Sequence, residues 1–199
     1  MTEEQKIQVI FVIGNPGAGK STLVELAGSK PSFWHSIFHG LGGGKQTIRA
    51  APHQSKYTIL VDTPAFDAET CPDRRFISDV GTWLDKKYGS KNNVLIGIVF
   101  IHKISDNRYS DKFGPLQTVE ALAQSLSVKN RISRVVFATS MWSGMQNQES
   151  VARANERNNL LKGKWDKTIQ NLGVEAHPEI MRFDKSTTSV EQILQYVIR

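Results

Sequence analysis

The chain has 199 residues, of which 39% are hydrophobic and 22% charged; this excludes wholesale disorder and leads us to expect a single domain over 1–199 with one sizeable core. Cys71 is the only cysteine, which excludes an intramolecular disulfide and a thiolate zinc cluster and points to a reducing compartment. The 25 Lys and Arg against 19 Asp and Glu give a net charge of +6, compatible with an anionic partner but modest for a chain of this length. The N-terminal Met1-Thr2-Glu3-Glu4-Gln5-Lys6 is polar, and no apolar run approaches the roughly 18 residues of a membrane helix, so the expectation is a cytoplasmic protein with no membrane partner.

Ile7 to Ile13 is a short β-branched apolar run ending at a glycine, the pattern of a strand buried on both faces. Ser21 to Ala27 reads as a helix, and Gly28 to Gly44 as a long loop carrying Phe33, Trp34, Ile37 and Phe38. Thr47 to Ala50 and Tyr57 to Val61 read as two strands joined by a turn around Pro52 to Ser55, with Thr47–Ala50 supplying one antiparallel strand. Asp73 to Tyr88 has helical spacing of Phe76, Val80, Trp83 and Leu84. Val94 to Ile101 is a buried strand, Leu116 to Leu126 a helix, Arg134 to Ala138 a strand, and Glu149 to Leu172 a long helix with many Arg, Lys and Asn. A last strand around Ile180 to Phe183 precedes a C-terminal helix from Ser189. This alternation predicts an α/β fold with a mostly parallel central sheet, one antiparallel strand and helices on both faces.

Gly14-Asn15-Pro16-Gly17-Ala18-Gly19-Lys20-Ser21 matches G-x-x-x-x-G-K-[ST], directly after a predicted strand and before a predicted helix. In this motif the glycines let backbone N–H groups turn around a polyphosphate, Lys20 is expected to reach the terminal phosphates, and the Ser21 hydroxyl can ligate Mg²⁺, with Thr22 beside it as a further nucleotide contact. The expected architecture is therefore a three-layer P-loop NTPase fold that binds a nucleoside triphosphate, GTP or ATP, with Mg²⁺ as cofactor. An aspartate at the end of a neighbouring strand should help to hold the metal, and Asp62 fits that position.

Asp62-Thr63-Pro64-Ala65-Phe66-Asp67 resembles the D-T-P-G-F-D switch of septin-like and immune-associated GTPases of the translation-factor-related class, with Ala65 in place of the family's glycine. The resemblance implies that the Ala65 amide faces the terminal phosphate, though alanine restricts the backbone freedom the switch uses. It also puts Phe66 where Ras-like members carry the glutamine that orients water, which implies slow hydrolysis. Thr47, fifteen positions before Asp62, is similar to the first-switch threonine that closes over the metal.

His102-Lys103-Ile104-Ser105-Asp106-Asn107-Arg108 resembles the H-R-I-[ST]-D-x-R segment of a mushroom-expanded group of GTPase-like proteins, with Lys103 replacing arginine. At the carboxyl end of a strand, His102, Asp106 and Arg108 are expected near the phosphate crevice, as catalytic groups beside Lys20, Thr47 and Asp62, or else as a salt-bridged loop bracing the switch. Thr139-Ser140-Met141-Trp142-Ser143 is similar to the T-T-M-W-D of the same group, with Ser143 at the aspartate position. Thr139 and Trp142 are candidate nucleotide contacts, Trp142 by stacking on a base; without the carboxylate, discrimination of guanine from adenine should be weak.

Two other readings remain open from the residues. Asp62, Asp67, His102, Asp106 and Arg108 could form a metal-dependent phosphodiesterase centre, a DNase on this fold, with nucleic acid tracked by Lys129, Arg131, Arg134, Arg153, Arg157, Lys162, Lys164 and Lys167. A non-catalytic nucleotide switch is the other. The septin-like resemblance further implies a homodimer paired across the nucleotide face.

Overall fold

A computed structural model describes residues 6–28, 35–36, 49–53, 55–63, 82, 86, 94–106, 132–172 and 179–198. The described strands are β1 (Ile7–Gly14), β2 (His35–Ser36), β3 (Arg49–His53), β4 (Ser55–Asp62), β5 (Val94–Lys103), β6 (Ile132–Ser140) and β7 (Glu179–Arg182). They form one seven-stranded sheet in the order β2-β3-β4-β1-β5-β6-β7. The described helices are α1 (Lys20–Leu26), α2 (Gln148–Leu172) and α3 (Thr187–Val197). Thr82 and Lys86, within the predicted Asp73–Tyr88 helix, are helical.

β1 lies at the centre because every residue from Gln8 onward is buried, which only a strand flanked on both edges and covered on both faces permits. It pairs in parallel with β4, Val12 opposite Asp62, and with β5, Gly14 opposite Ile101. β5 continues in parallel to β6, and β6 to β7. β3 pairs antiparallel with β4, and the two-residue β2 antiparallel with β3.

Period-2 alternation sorts the side chains into two layers. Ile10, Val12, Leu60, Val99, Ile101, Val136 and Ala138 pack with Leu23 and Val24 of α1 and with Val190, Ile193, Leu194 and Val197 of α3. On the opposite face, Phe137 stacks on Trp165 of α2 with ring centroids 4.4 Å apart. Trp165 is fully buried, so α2 is held by this aromatic anchor despite its polar composition. Gln8 donates from Nε2 to the Val197 carbonyl at 2.7 Å, satisfying one of the orphan acceptors at the end of α3. Among the described residues, no helix is long and apolar enough to cross a membrane.

The structure departs from the sequence expectations at several places. Residues 35 and 36, inside the predicted loop, form β2. The predicted turn at Pro52–Ser55 is narrower, because β3 runs through Pro52 and His53. Proline is tolerated there because β2 pairs only with Arg49 and Ala50, and the register shifts between Pro52 and His53. α3 starts at Thr187, not Ser189, because the Ser186 hydroxyl accepts the Ser189 N–H at 3.1 Å and caps the helix two residues earlier. The predicted helix at Leu116–Leu126 lies outside the described residues.

His102, expected near the phosphate crevice, is instead 1% exposed in the core on the α2 face of β5, with its ring edge-on to Trp165 at 6.4 Å. Burial pushes its imidazole from the ordinary 6.5 down to about 4, with Asp106 opposing the shift and Arg157 and Lys103 reinforcing it. The unfolded chain therefore takes up this proton more readily than the folded one. The stability conferred by the buried neutral ring is fully present above the unfolded value, and about 3 kcal/mol of it should be lost as the pH falls toward the folded value. Urea unfolding should show a lower midpoint at about pH 5 than at about pH 7, and His102→Gln should flatten that dependence.

Candidate phosphate-binding site

The loop Asn15–Gly19 leaves the centre of the sheet between β1 and α1, as its glycines permit. Gly14 sits so close to β5 that a Cβ would lie 2.2 Å from the Ile101 carbonyl oxygen, so only glycine lets the loop start there. Ala18 N–H donates to the Asn15 carbonyl at 3.2 Å, and Gly19, with φ of 104°, turns the chain into α1.

Lys20 is only 7% exposed. Its Nζ donates to the carbonyls of Gly14 at 2.9 Å and Asn15 at 3.1 Å, closing the loop on itself. Burial lowers the pKa of this ammonium, the carboxylate of Asp62 opposes that shift, and the nearby charge of Lys103 adds to it. A buried cation poised over carbonyl oxygens is a group that an arriving anion would stabilise.

Ser21, the second residue of α1, donates its hydroxyl to Asp62 Oδ2 at 2.7 Å. Asp62 is 6% exposed at the end of β4, next to β1. Its position is fixed by Thr63, whose hydroxyl donates to the Val12 carbonyl at 2.9 Å. A hydroxyl and a carboxylate meeting beside a loop of backbone donors is a hard-oxygen set. It suits a small divalent cation that also takes phosphate and water oxygens. Among the described residues, no cluster of three or more His, Cys, Asp or Glu could hold a metal on its own.

At the next strand end, Met141 adopts a left-handed φ of 65° and leads into a single 3-10 turn, Trp142–Gly144, which carries the exposed Ser143. The Trp142 indole donates to the Thr139 carbonyl at 3.0 Å and hydroxyl at 3.1 Å. The Arg182 guanidinium lies 3.9 Å above its ring, and Arg182 donates to Asn155 Oδ1 at 2.7 Å. Thr139 is fully buried beneath this turn, with its hydroxyl donating to Asn158 Oδ1 at 3.1 Å, so it braces Trp142 and does not line the site. Beyond β7, Asp184 accepts the Ser186 N–H at 2.9 Å; hydrogen bonds from Ser186 and Ser189 hold its carboxyl down at about 2.

The fold thus gathers Gly14 to Ser21 and Asp62, and moves His102 and Thr139 into the core. Thr22 follows on α1, half-buried. Asp106 lies on the turn after β5, its N–H donating to the Lys103 carbonyl at 3.0 Å, and its charge acts on His102. Thr47, Ala65, Asp67 and Arg108 lie outside the described residues. Lys103, noted in the sequence only as replacing an arginine and not as a site residue, has its Nζ 3.4 Å from where a Cβ on Gly17 would stand. The signal available was its place at the end of the strand beside β1.

No family model matches the chain, and no curated protein matches it. Among solved structures it is similar to a protein assigned as nucleolar GTP-binding protein 1 of Plasmodium falciparum, at 14% identity and a TM-score of 0.47, over 99% of this chain and 87% of that one. It is similar to the G domain of the T. maritima FeoB iron transporter, at 13% identity and a TM-score of 0.47, over 96% of each chain. Translation elongation factor SelB from Methanococcus maripaludis, in complex with the GTP analogue GppNHp, aligns at 18% identity and a TM-score of 0.48; this chain is fully covered and spans 34% of that one. At these identities the likeness concerns the arrangement of strands and helices.

Proposed function

We propose that the chain binds the polyphosphate of a nucleoside triphosphate together with Mg²⁺ and hydrolyses it slowly, as a P-loop hydrolase. The observation that carries this reading is the meeting of three groups around one glycine loop: the buried Lys20 ammonium, the Ser21 hydroxyl and the Asp62 carboxylate. The loop amides and Lys20 would receive the phosphate oxygens. Ser21 and Asp62 would hold Mg²⁺, which when bound neutralises phosphate charge. Slow turnover is expected because Phe66 stands where the resembled family places a water-orienting glutamine.

Base selectivity is expected to be weak. The position at which the resemblance calls for an aspartate is Ser143, and one ring face of Trp142 is already covered by Arg182. A site that does not hydrogen-bond a base edge in pairs loses the strong rejection of the wrong base.

The phosphodiesterase alternative loses its histidine to the core, and part of its basic track is engaged within the protein. Arg134 lies over the Tyr196 ring, Arg153 pairs with Glu149, and Arg157 donates to the Ile104 carbonyl.

Calorimetric titration with Mg-GTP and Mg-ATP tests the reading. Lys20→Ala should weaken binding of both by about 10- to 100-fold, the value of one charge-assisted contact to phosphate. GTP and ATP should differ by less than about tenfold. Asp62→Asn should remove most of the difference in affinity between Mg²⁺-containing and EDTA-treated samples. Equal binding by Lys20→Ala would refute the site, and binding without any phosphate release would leave a nucleotide switch in place of a hydrolase.

A further inference from the structure

Lys103 is the last residue of β5. Its Nζ and Cε lie 3.4 Å and 3.6 Å from the position a Cβ on Gly17 would take, so its side chain crosses the apex of the glycine loop. A side chain at Gly17 would meet this lysine, and φ of 68° there adds backbone strain for any other residue.

The backbone that carries Lys103 is registered from both sides. Ile101 pairs with Gly14 of β1, and Lys103 with Ser140 of β6. Just beyond, Ile104 N–H donates to the Ser140 carbonyl at 3.0 Å. The lysine therefore starts from a fixed point, and only its flexible stem has to be ordered to reach the loop.

Its electrostatic setting points the same way. Among the described residues, no carboxylate forms an ion pair with Lys103. It is half-buried, and it stands near enough to Lys20 for its charge to disfavour the protonated form of that ammonium. Two ammonium groups converging on one loop repel each other until an anion of several charges arrives.

We infer that Lys103 is a second polyphosphate-binding cation, reaching from the end of β5 across Gly17 to phosphate oxygens held in the loop. The inference rests on the nucleotide-binding reading and adds a contact that the glycine-loop motif does not contain. The contact ignores the base, so the ligand class it favours is any chain of phosphates, inorganic tripolyphosphate included.

The test is calorimetric titration of the full chain with Mg-GTP, Mg-ATP and Mg-tripolyphosphate at low and high salt, for wild type, Lys103→Arg and Lys103→Met. Lys103→Met should weaken all three ligands by about tenfold and make binding less salt-dependent. Lys103→Arg should stay within about threefold of wild type, and the melting temperature without ligand should be the same in all three proteins. Wild-type affinity in Lys103→Met, or a loss confined to one nucleotide, would overturn the inference while leaving the nucleotide-binding reading standing. Wild type binding none of the three ligands would overturn that reading, and this inference with it.

Discussion

The close approach of β1 to β5 at Gly14 is the constraint on which the site depends. Because a Cβ at Gly14 would meet the Ile101 carbonyl at 2.2 Å, the chain can leave the sheet there only as glycine. The parallel pairing then decides what stands at the same edge. Five strands running in one direction end together, so Gly14, Asp62, Lys103 and Ser140 share a carboxyl edge although they are far apart in sequence. Crevices at such edges are where open α/β sheets bind ligands.

At that edge, burial and charge are balanced within a few residues. Lys20 gives up solvent and recovers it in two carbonyl oxygens and the field of Asp62. Asp62 in turn is held by the hydroxyl of Ser21, and Thr63 ties its strand end to β1. The adjacent pair His102 and Lys103 shows how strictly the sheet sorts side chains: one enters the core beside Trp165, the next reaches the glycine loop. The same alternation turns His102, expected near the glycine loop, into the core, and brings Lys103, noted in the sequence only for replacing an arginine, to that loop.

The turn after β6 has a different character. Trp142 is tied back to Thr139, roofed by Arg182, and linked through Arg182 to Asn155 of α2. These are contacts of the protein with itself. The polar groups that converge are therefore at the glycine loop, where backbone, the buried Lys20 and the Ser21–Asp62 oxygen pair meet.

Much of this was determined by sequence alone. The β-branched runs at Ile7 to Ile13 and Val94 to Ile101 read as buried strands because no amphipathic helix has that pattern, and the spacing of Gly14, Gly19, Lys20 and Ser21 reads as a tight loop between a strand and a helix. Asp62 was legible because it ends a run of β residues. Strand order and facing were not legible. Nothing local distinguishes the side of the sheet to which His102 turns, nor that Lys103 reaches Gly17 across a gap of 86 positions. The start of α3 at Ser186 and the passage of β3 through Pro52 likewise depended on which partners were present. Local pattern determined the elements and the glycine loop, because those follow from backbone sterics and burial of neighbouring residues. Tertiary structure alone decided which side chains meet there, because pairing register and sheet facing are set by contacts between distant segments.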